Sequence, residues 1–292
     1  MGTLSSIKRD TMILLHRNVA FLVIALSAAS VFTIARAAAP PTKMPTYRVD
    51  AGEFEASEAD IRAVCDSAGM TLWRQFPDYA LEPFVVTRGR SGPIVLYQRN
   101  DRKEIVLKLD TGKTYWSQYA YQFAHEFCHI LCGYRDVDAS NKWFEETLCE
   151  TASLYAMREM ARSWKENPPY KHWTDYRDAL RNYADDVLRK RKEIAELQRL
   201  GLPAFYREHE AELRKTSTDR ELNGTMATVL LRLFEEEPGR WEAVRWLNAE
   251  AAPNDESFAA YLARWRTAVP ERHRDFVDEV RKSFGVGADL RK

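Results

Sequence analysis

The chain has 292 residues, of which 43 are Lys or Arg, 43 are Asp or Glu and 45% are hydrophobic, so its formal net charge is zero. This balance argues against a nucleic-acid partner, because phosphate binding requires a surplus of clustered Lys and Arg. The apolar content is sufficient for a folded core, and 12 Gly and 12 Pro are too few for a collagen-like or low-complexity chain.

Residues 1–37 have the pattern of an export signal. Lys8 and Arg9 give a positive start, residues 19–35 form an uncharged apolar run, and Ala35-Arg36-Ala37 matches the small-x-small cleavage pattern. We therefore expect an exported protein, periplasmic or secreted. The alternative is that residues 19–35 remain as a membrane anchor, because the run is just long enough to span a thin bilayer. Only in that case do we expect contact with a membrane.

A helix and three short strands are predicted next. Residues 38–53 are Pro-rich and aperiodic, which indicates a leader into the domain. Ser57 and Asp60 resemble a capping pair at the start of a helix over 57–76. Three β-rich runs separated by turn residues then predict a small antiparallel sheet. These runs are 83–88, 93–99 and 104–110.

Helices dominate the rest of the chain. One is predicted over 115–132, with Thr111 or Thr114 as its N-cap and Gly133 after its end. A second is predicted over 141–164. The Tyr residues of the first helix, including Tyr121, are expected to serve in packing. The overall fold class predicted is α+β and predominantly helical.

Residues 166–292 are predicted to form several amphipathic helices. The expected breaks are at 201–203, 223–224, 238–239, 253–254 and Pro270. The basic run 189–192 is expected to coat a solvated helix face. The chain has four cysteines, Cys65, Cys128, Cys132 and Cys149. Export would permit disulfides, but small buried side chains are an equally good interpretation.

The most informative segment is His125-Glu126-Phe127-Cys128-His129. Residues four apart lie on one face of a helix, so the two imidazoles can bind a single metal ion. Glu126 is rotated by roughly 100° from His125, which puts its carboxylate beside the metal. That is the position of a general base acting on metal-activated water.

A zinc hydrolase needs a third protein ligand and an open fourth position. The best candidate segment lies on the next predicted helix, Trp143-Phe-Glu-Glu-Thr-Leu-Cys-Glu150. Glu146 and Glu150 share a face there, so that one carboxylate can ligate the metal while the other accepts the second N–H of a ligand histidine.

These two motifs resemble the gluzincins, zinc metallopeptidases with His, His and Glu ligands. The resemblance covers residues 84–160 and implies a zincin-like core, made of a small antiparallel sheet, an active-site helix and a Glu helix. It implies one Zn²⁺ ion held by His125, His129 and Glu146, with Glu150 orienting a ligand histidine. Glu145 stands where the family often has Asn. Glu146 is preferred over Glu145 as the ligand because it shares a face with Glu150.

The resemblance therefore implies an exported zinc metallopeptidase in which Glu126 is the general base and the substrate is a peptide or protein. The expected organisation is a signal peptide (1–37), a leader (38–53), a zincin-like catalytic core (54–165) and a helical C-terminal subdomain (166–292). The strand at 93–99 is the expected edge for binding an extended peptide. Four side chains are candidates for stabilising the oxyanion, namely Tyr155, Tyr206, His209 and Tyr261.

Two other functions remain open at this stage. The first is a zincin-fold binding or scaffold protein without useful turnover, with 166–292 docking a partner. The second is a zinc hydrolase of non-peptide amides or esters, which share the same carbonyl chemistry. Metal analysis combined with a broad hydrolysis screen separates these possibilities.

Overall fold

A computed structural model describes residues 39–133, 135, 139–251 and 253–287; the predicted signal 1–37 lies outside them. The strands are Arg48–Val49 (β1), Phe84–Arg88 (β2), Ile94–Leu96 (β3) and Ile105–Leu109 (β4). The helices are Glu58–Trp73 (α1), Trp116–Leu131 (α2), Lys142–Ser163 (α3), Tyr176–Arg189 (α4), Ile194–Leu200 (α5), Leu202–Lys215 (α6), Arg220–Glu236 (α7), Phe258–Ala268 (α8) and Glu271–Ser283 (α9). Short 3-10 segments lie at Ala139–Asn141, Lys171–Trp173 and Pro238–Trp246. The prediction of a predominantly helical α+β chain is confirmed.

The four strands form one mixed sheet in the order β1-β2-β4-β3. β1 pairs with β2 and β2 pairs with β4 in parallel, and β3 pairs with β4 antiparallel. The prediction of an antiparallel sheet is therefore wrong, because β4 inserts between β2 and β3 and residues 89–92 do not close a hairpin. Phe84, Val85 and Val86 are buried in succession in β2, which is typical of a central parallel strand.

The turn between β3 and β4 forms as its sequence predicts. Asn100 Oδ1 accepts hydrogen bonds from the backbone N–H groups of Arg102 and Glu104, at 2.9 and 3.0 Å. The Glu104 carboxylate also makes a two-point ion pair with Arg48, at 2.8 and 2.9 Å. Arg48 lies in the segment predicted as a leader, so the end of that segment belongs to the sheet.

Helix α2 ends as predicted but begins differently. Gly133 has a φ of +71° just after the helix, which is the left-handed conformation that glycine adopts most easily. At the other end, Tyr115 precedes the helix and no side chain caps it. The prediction of Thr111 or Thr114 as the N-cap is therefore wrong. The hydroxyl of Thr111 instead donates a hydrogen bond to Gln118 Oε1 at 3.0 Å.

Helix α3 is the central element of the fold. It packs against α1, α2, α4 and α7, and most of its residues are buried. A helix covered on several sides needs apolar residues all round, which explains why α3 has no clean polar face. The packing of α3 against α2 brings its glutamates to the histidines of α2.

The helices after residue 166 follow most of the predicted breaks. Helix α5 ends at Leu200 and α6 begins at Leu202, as the break at 201–203 predicts. The break predicted at 223–224 is wrong, because both residues lie inside α7. The division into a core over 54–165 and a subdomain over 166–292 stays a prediction. Within the described residues, no helix has the length and apolarity needed to cross a membrane.

Candidate metal centre

Two histidines lie one turn apart on the face of α2 that meets α3. The ring centroids of His125 and His129 are 5.2 Å apart, and their side chains are 19% and 7% exposed. The shared face follows from the helical spacing of the motif. Both imidazoles are therefore largely withdrawn from solvent and available to one common partner.

That common partner is Glu146 of α3. Its Oε2 atom lies 3.2 Å from His125 Nε2 and 3.6 Å from His129 Nε2. In a tetrahedral zinc site with bonds of about 2.0–2.1 Å, donor atoms are about 3.3 Å apart. The two separations that involve Glu146 are close to this value, so its carboxylate stands where a third donor would be required.

The other nitrogen of each histidine faces a different carboxylate. His129 Nδ1 is 2.6 Å from Glu145 Oε1, and His125 Nδ1 is 3.8 Å from Glu150 Oε2. Because a carboxylate only accepts hydrogen bonds, the contact with Glu145 favours a proton on His129 Nδ1, so that Nε2 would be the ligating nitrogen of a metal-bound His129. Glu145 is further held by Asn248 Nδ2, which donates to its Oε2 at 2.7 Å.

Glu150 is fixed by two donors that the sequence did not indicate. The hydroxyl of Tyr121 and the guanidinium of Arg191 both bind its Oε1. The expectation of a solvated face is wrong for Arg191, whose side chain is 11% exposed. Tyr121 packs against the core as expected, and its hydroxyl contacts the site in addition. Arg191 reaches Glu150 by passing α7 at Gly224, where a Cβ would collide with its guanidinium. This glycine in a helix interior is the one sequence signal that could have indicated the approach.

Glu126 is buried beside the histidines rather than between them, and it lines the same cleft. Burial raises the pKa of its carboxyl above the ordinary value, an effect that exceeds the opposing influence of His125 and His129. A hydrogen bond from the backbone of Val95 in β3 favours its charged form. A buried carboxyl with a raised pKa accepts and releases a proton more readily near the working pH than an ordinary, solvated carboxyl does.

The positive charge of His129 and the negative charge of Glu146 stabilise each other. Burial disfavours the charged form of His129, but Glu146 and Glu145 outweigh it and raise its pKa well above the ordinary value. Burial likewise opposes ionisation of Glu146, yet His129 and His125 hold its pKa well below the usual range. Glu146 is therefore a carboxylate, which is the form that ligates a metal.

The site opens into a cleft of about 610 Å³. One wall is β3, which lies at an edge of the sheet, as expected for the strand predicted at 93–99. The lining residues are 93–97, Tyr121, Gln122, His125, Glu126, His129, Lys142, Glu146, Glu150, Tyr183, Val187, Lys190, Arg191, Thr218, Arg220 and Glu221. The candidate ligands and the outer strand of the described sheet thus line one solvent-accessible space.

A second group at this position could also hold a metal ion. One ring nitrogen of His125, one of His129 and the Sγ of Cys149 all lie within 4.8 Å of one another. Cys149, however, is fully buried, makes side-chain hydrogen bonds with Cys128 and Cys132, and does not line the cleft. A metal with an open coordination position must face the cleft, so Glu146 is the better third donor for a reactive site. All four cysteines are free and buried.

The side chains suggested for an oxyanion lie elsewhere. Tyr206 stacks on Trp143 with ring centroids 5.5 Å apart, and His209 pairs with Glu196 at 3.1 Å. Tyr155 and Tyr261 are buried. None of the four is among the described residues that line the cleft. The tyrosines that do line it are Tyr97, Tyr121 and Tyr183.

Comparisons with models of protein families, with curated proteins and with solved structures found no match. The geometry and chemistry of the site are therefore the basis on which a function can be proposed. Three features are relevant to it: two imidazoles that share a carboxylate, a separate buried carboxyl beside them, and a cleft bounded by an edge strand.

Proposed function

We propose that the protein is a zinc-dependent metallopeptidase of the gluzincin type, with His125, His129 and Glu146 as the metal ligands and Glu126 as the general base. The observation that carries this proposal is the position of Glu146 Oε2, 3.2 and 3.6 Å from the two Nε2 atoms. In this proposal, α2 and α3 are the active-site helix and the Glu helix of a zincin-like core.

The donor set fits zinc used for catalysis. Two imidazole nitrogens and one carboxylate oxygen leave a fourth position open, whereas structural zinc sites usually close with cysteines. When bound, zinc supplies Lewis acidity, which polarises a carbonyl and makes water more acidic. Glu145 and Glu150 keep the two imidazoles oriented with Nε2 toward Glu146.

Glu126 moves the proton in this mechanism. Its carboxylate takes a proton from the attacking water and delivers it to the nitrogen of the leaving amine. Its raised pKa supports both steps, because a proton carrier works best when its pKa lies near the working pH. A positioned group of this kind contributes about 10²- to 10⁴-fold to the rate.

The substrate in this proposal is an extended peptide that pairs with β3. β3 is an outer strand of the sheet formed by the described residues, and it borders the cleft that holds Glu126. Backbone hydrogen bonds to an edge strand hold a peptide without demanding a particular sequence. We also propose that the protein acts outside the cytoplasm after export through residues 1–37, with retention of residues 19–35 as an anchor as the alternative.

Hydrolysis by the zinc-loaded full chain tests the proposal. We expect cleavage of members of a quenched fluorescent peptide library, and a loss of at least about 100-fold in Glu126→Gln with the zinc content unchanged. Glu221→Gln is a matched control, because this cleft carboxylate accepts hydrogen bonds from the backbone N–H groups of Lys192 and Glu193 and is no part of the proposed centre. Undiminished hydrolysis in Glu126→Gln would contradict the assigned role.

The same preparation separates the two competing functions. A protein that binds zinc and cleaves neither peptides nor other substrates would be a scaffold of the same fold. A protein that cleaves only esters or non-peptide amides would be a zinc hydrolase with a different substrate class. Either result would overturn the peptidase proposal while leaving the metal ligands to be tested separately.

A further inference from the structure

The cleft contains a cation, Lys142, that forms no ion pair with any described carboxylate. Lys142 is the first residue of α3 and lies one helical turn before Glu146, and both line the cleft. Its Nζ donates a hydrogen bond to the hydroxyl of Tyr97 at 3.0 Å and lies 5.1 Å from the centroid of the same ring. Among residues 39–133 and 139–287, as far as the structure describes them, no carboxylate oxygen lies within 4.0 Å of this ammonium group.

This arrangement leaves the charge of Lys142 incompletely satisfied. An ammonium group has three N–H donors, and the neutral Tyr97 hydroxyl accepts one of them. Both side chains are partly buried, so water compensates the charge less well than on an open surface. Glu146 and Glu145 act on this charge only from beyond ion-pair distance, so a carboxylate that entered the cleft would add a direct, charge-assisted hydrogen bond.

The rest of the cleft adds to this preference. Of its other cations, Arg191 is already paired with Glu150. Arg220 is exposed and makes no side-chain hydrogen bond or ion pair with the described residues. Its Nη2 lies 3.7 Å from the point where a Cβ on Gly92 would stand, just before β3. One cation therefore lies near each end of β3, with Arg220 near Gly92 and Lys142 at Tyr97.

The carboxylates in the cleft do not cancel these cations. Glu126, Glu146 and Glu150 belong to the candidate metal centre, where the histidines, Arg191 and a dication would offset them. Glu221 is engaged by backbone N–H groups. Beyond the metal centre, the surface that a bound peptide would meet is therefore positive at both ends of β3.

From this juxtaposition we infer that the cleft selects peptides bearing a carboxylate next to the scissile bond, and that Lys142, supported by Tyr97, binds that carboxylate. The inference rests on the proposed peptidase function and specifies its substrate class. The carboxylate can come from an Asp or Glu side chain or from a free C-terminus. Both offer the same acceptor to Lys142, so the experiment must distinguish them.

The test compares matched peptides on the zinc-loaded full chain. In one set, Glu replaces Gln at each position flanking the cleaved bond, in peptides with an amidated C-terminus. In the other set, free and amidated C-termini are compared at the same sequence. We expect a preference in kcat/KM of about 10- to 100-fold for the carboxylate at one position, as a charge-assisted hydrogen bond gives. A preference in the first set identifies an Asp or Glu side chain as the bound carboxylate, and a preference in the second set identifies a free C-terminus.

Variants then attribute the preference to a residue. In Lys142→Met the Glu-to-Gln ratio should fall toward one. In Lys142→Glu the ratio should fall below one, and a further peptide with Lys at the same position should be preferred over Gln. Lys190→Met is the matched control, because it removes an exposed cation of the same cleft and should leave the ratio unchanged. Tyr97→Phe should lower the ratio partially, since the ammonium group keeps its charge but loses its hydrogen bond.

Two results would overturn the inference. One is a ratio that is unaffected by Lys142→Met; the other is an equal loss for both peptides, which indicates a structural or chemical role rather than recognition. Calorimetric binding of the same peptides to the Glu126→Gln protein separates this inference from the proposed function. A carboxylate preference in binding that depends on Lys142, without any hydrolysis, would retain the inference and refute the peptidase.

Discussion

Gly224 lies in the interior of α7, and its replacement by alanine tests how Arg191 reaches the candidate metal centre. A Cβ at this position would lie 2.5 Å from Arg191 Nε and closer still to Cζ. Ordinary contact requires about 3.5 Å, so the guanidinium would have to move by about 1.5 Å. That movement would break its buried ion pair with Glu150, in which the two side chains are 11% and 12% exposed.

The expected magnitude follows from two opposing effects. Alanine is favoured over glycine in a helix interior by about 1 kcal/mol. A hydrogen bond to a charged group contributes about 1.5–3 kcal/mol, and the loss is not screened by solvent at this site. The second effect is larger, so Gly224→Ala should lower the free energy of unfolding by about 1 kcal/mol. It should also weaken zinc binding, because Glu150 faces His125.

Urea denaturation of the metal-free protein measures this prediction in a double-mutant cycle. The three atoms nearest to the new Cβ all belong to the Arg191 guanidinium, so in the Arg191→Ala background Gly224→Ala should become stabilising by about 0.5–1 kcal/mol. The reversal of sign separates the proposed collision from any general intolerance of this helix to substitution. A Gly224→Ala protein as stable as the wild type in the presence of Arg191 would refute the reasoning.

The remaining predictions concern Glu145 and the sheet. Asn248→Ala removes the donor to Glu145 Oε2 and should weaken zinc binding by about 10- to 100-fold in a chelator competition; unchanged affinity would mean that Asn248 does not support the site. Arg48 and Asn100 lower the pKa of Glu104 to about 2 from the ordinary 4.5, so their stabilisation is complete above pH 4.5 and is lost as the pH falls to about 2. The difference in Tm between the wild type and Glu104→Gln should shrink over that range, and a constant difference would contradict the assignment.

Local sequence signals predicted those parts of the fold that depend on local interactions. Ser57 caps α1 by accepting from the backbone N–H of Asp60, as the capping pair predicts. Gly133 ends α2, and Asn100 closes the turn between β3 and β4. The order of the strands depends on contacts between distant residues. The spacing of the β runs could not reveal that β4 pairs with β2.

The same distinction applies to the candidate site. The shared face of His125 and His129 follows from helical periodicity, and the proximity of Glu146 was predicted through the resemblance to gluzincins. The side chains that hold Glu145 and Glu150 could not be predicted. Asn248 lies 103 residues from Glu145 and Arg191 lies 41 residues from Glu150, so tertiary packing alone brings them together.

The metal content of two single variants tests the central claim most directly. After loading with zinc and removal of excess ion, the wild type should hold one zinc per chain by mass spectrometry. Cys149→Ala should retain it, and Glu146→Gln should lose it, with folding of both confirmed by circular dichroism. Zinc retained in Glu146→Gln and lost in Cys149→Ala would contradict the account, because the metal would then lie on the buried side of the histidines, away from Glu126 and the cleft.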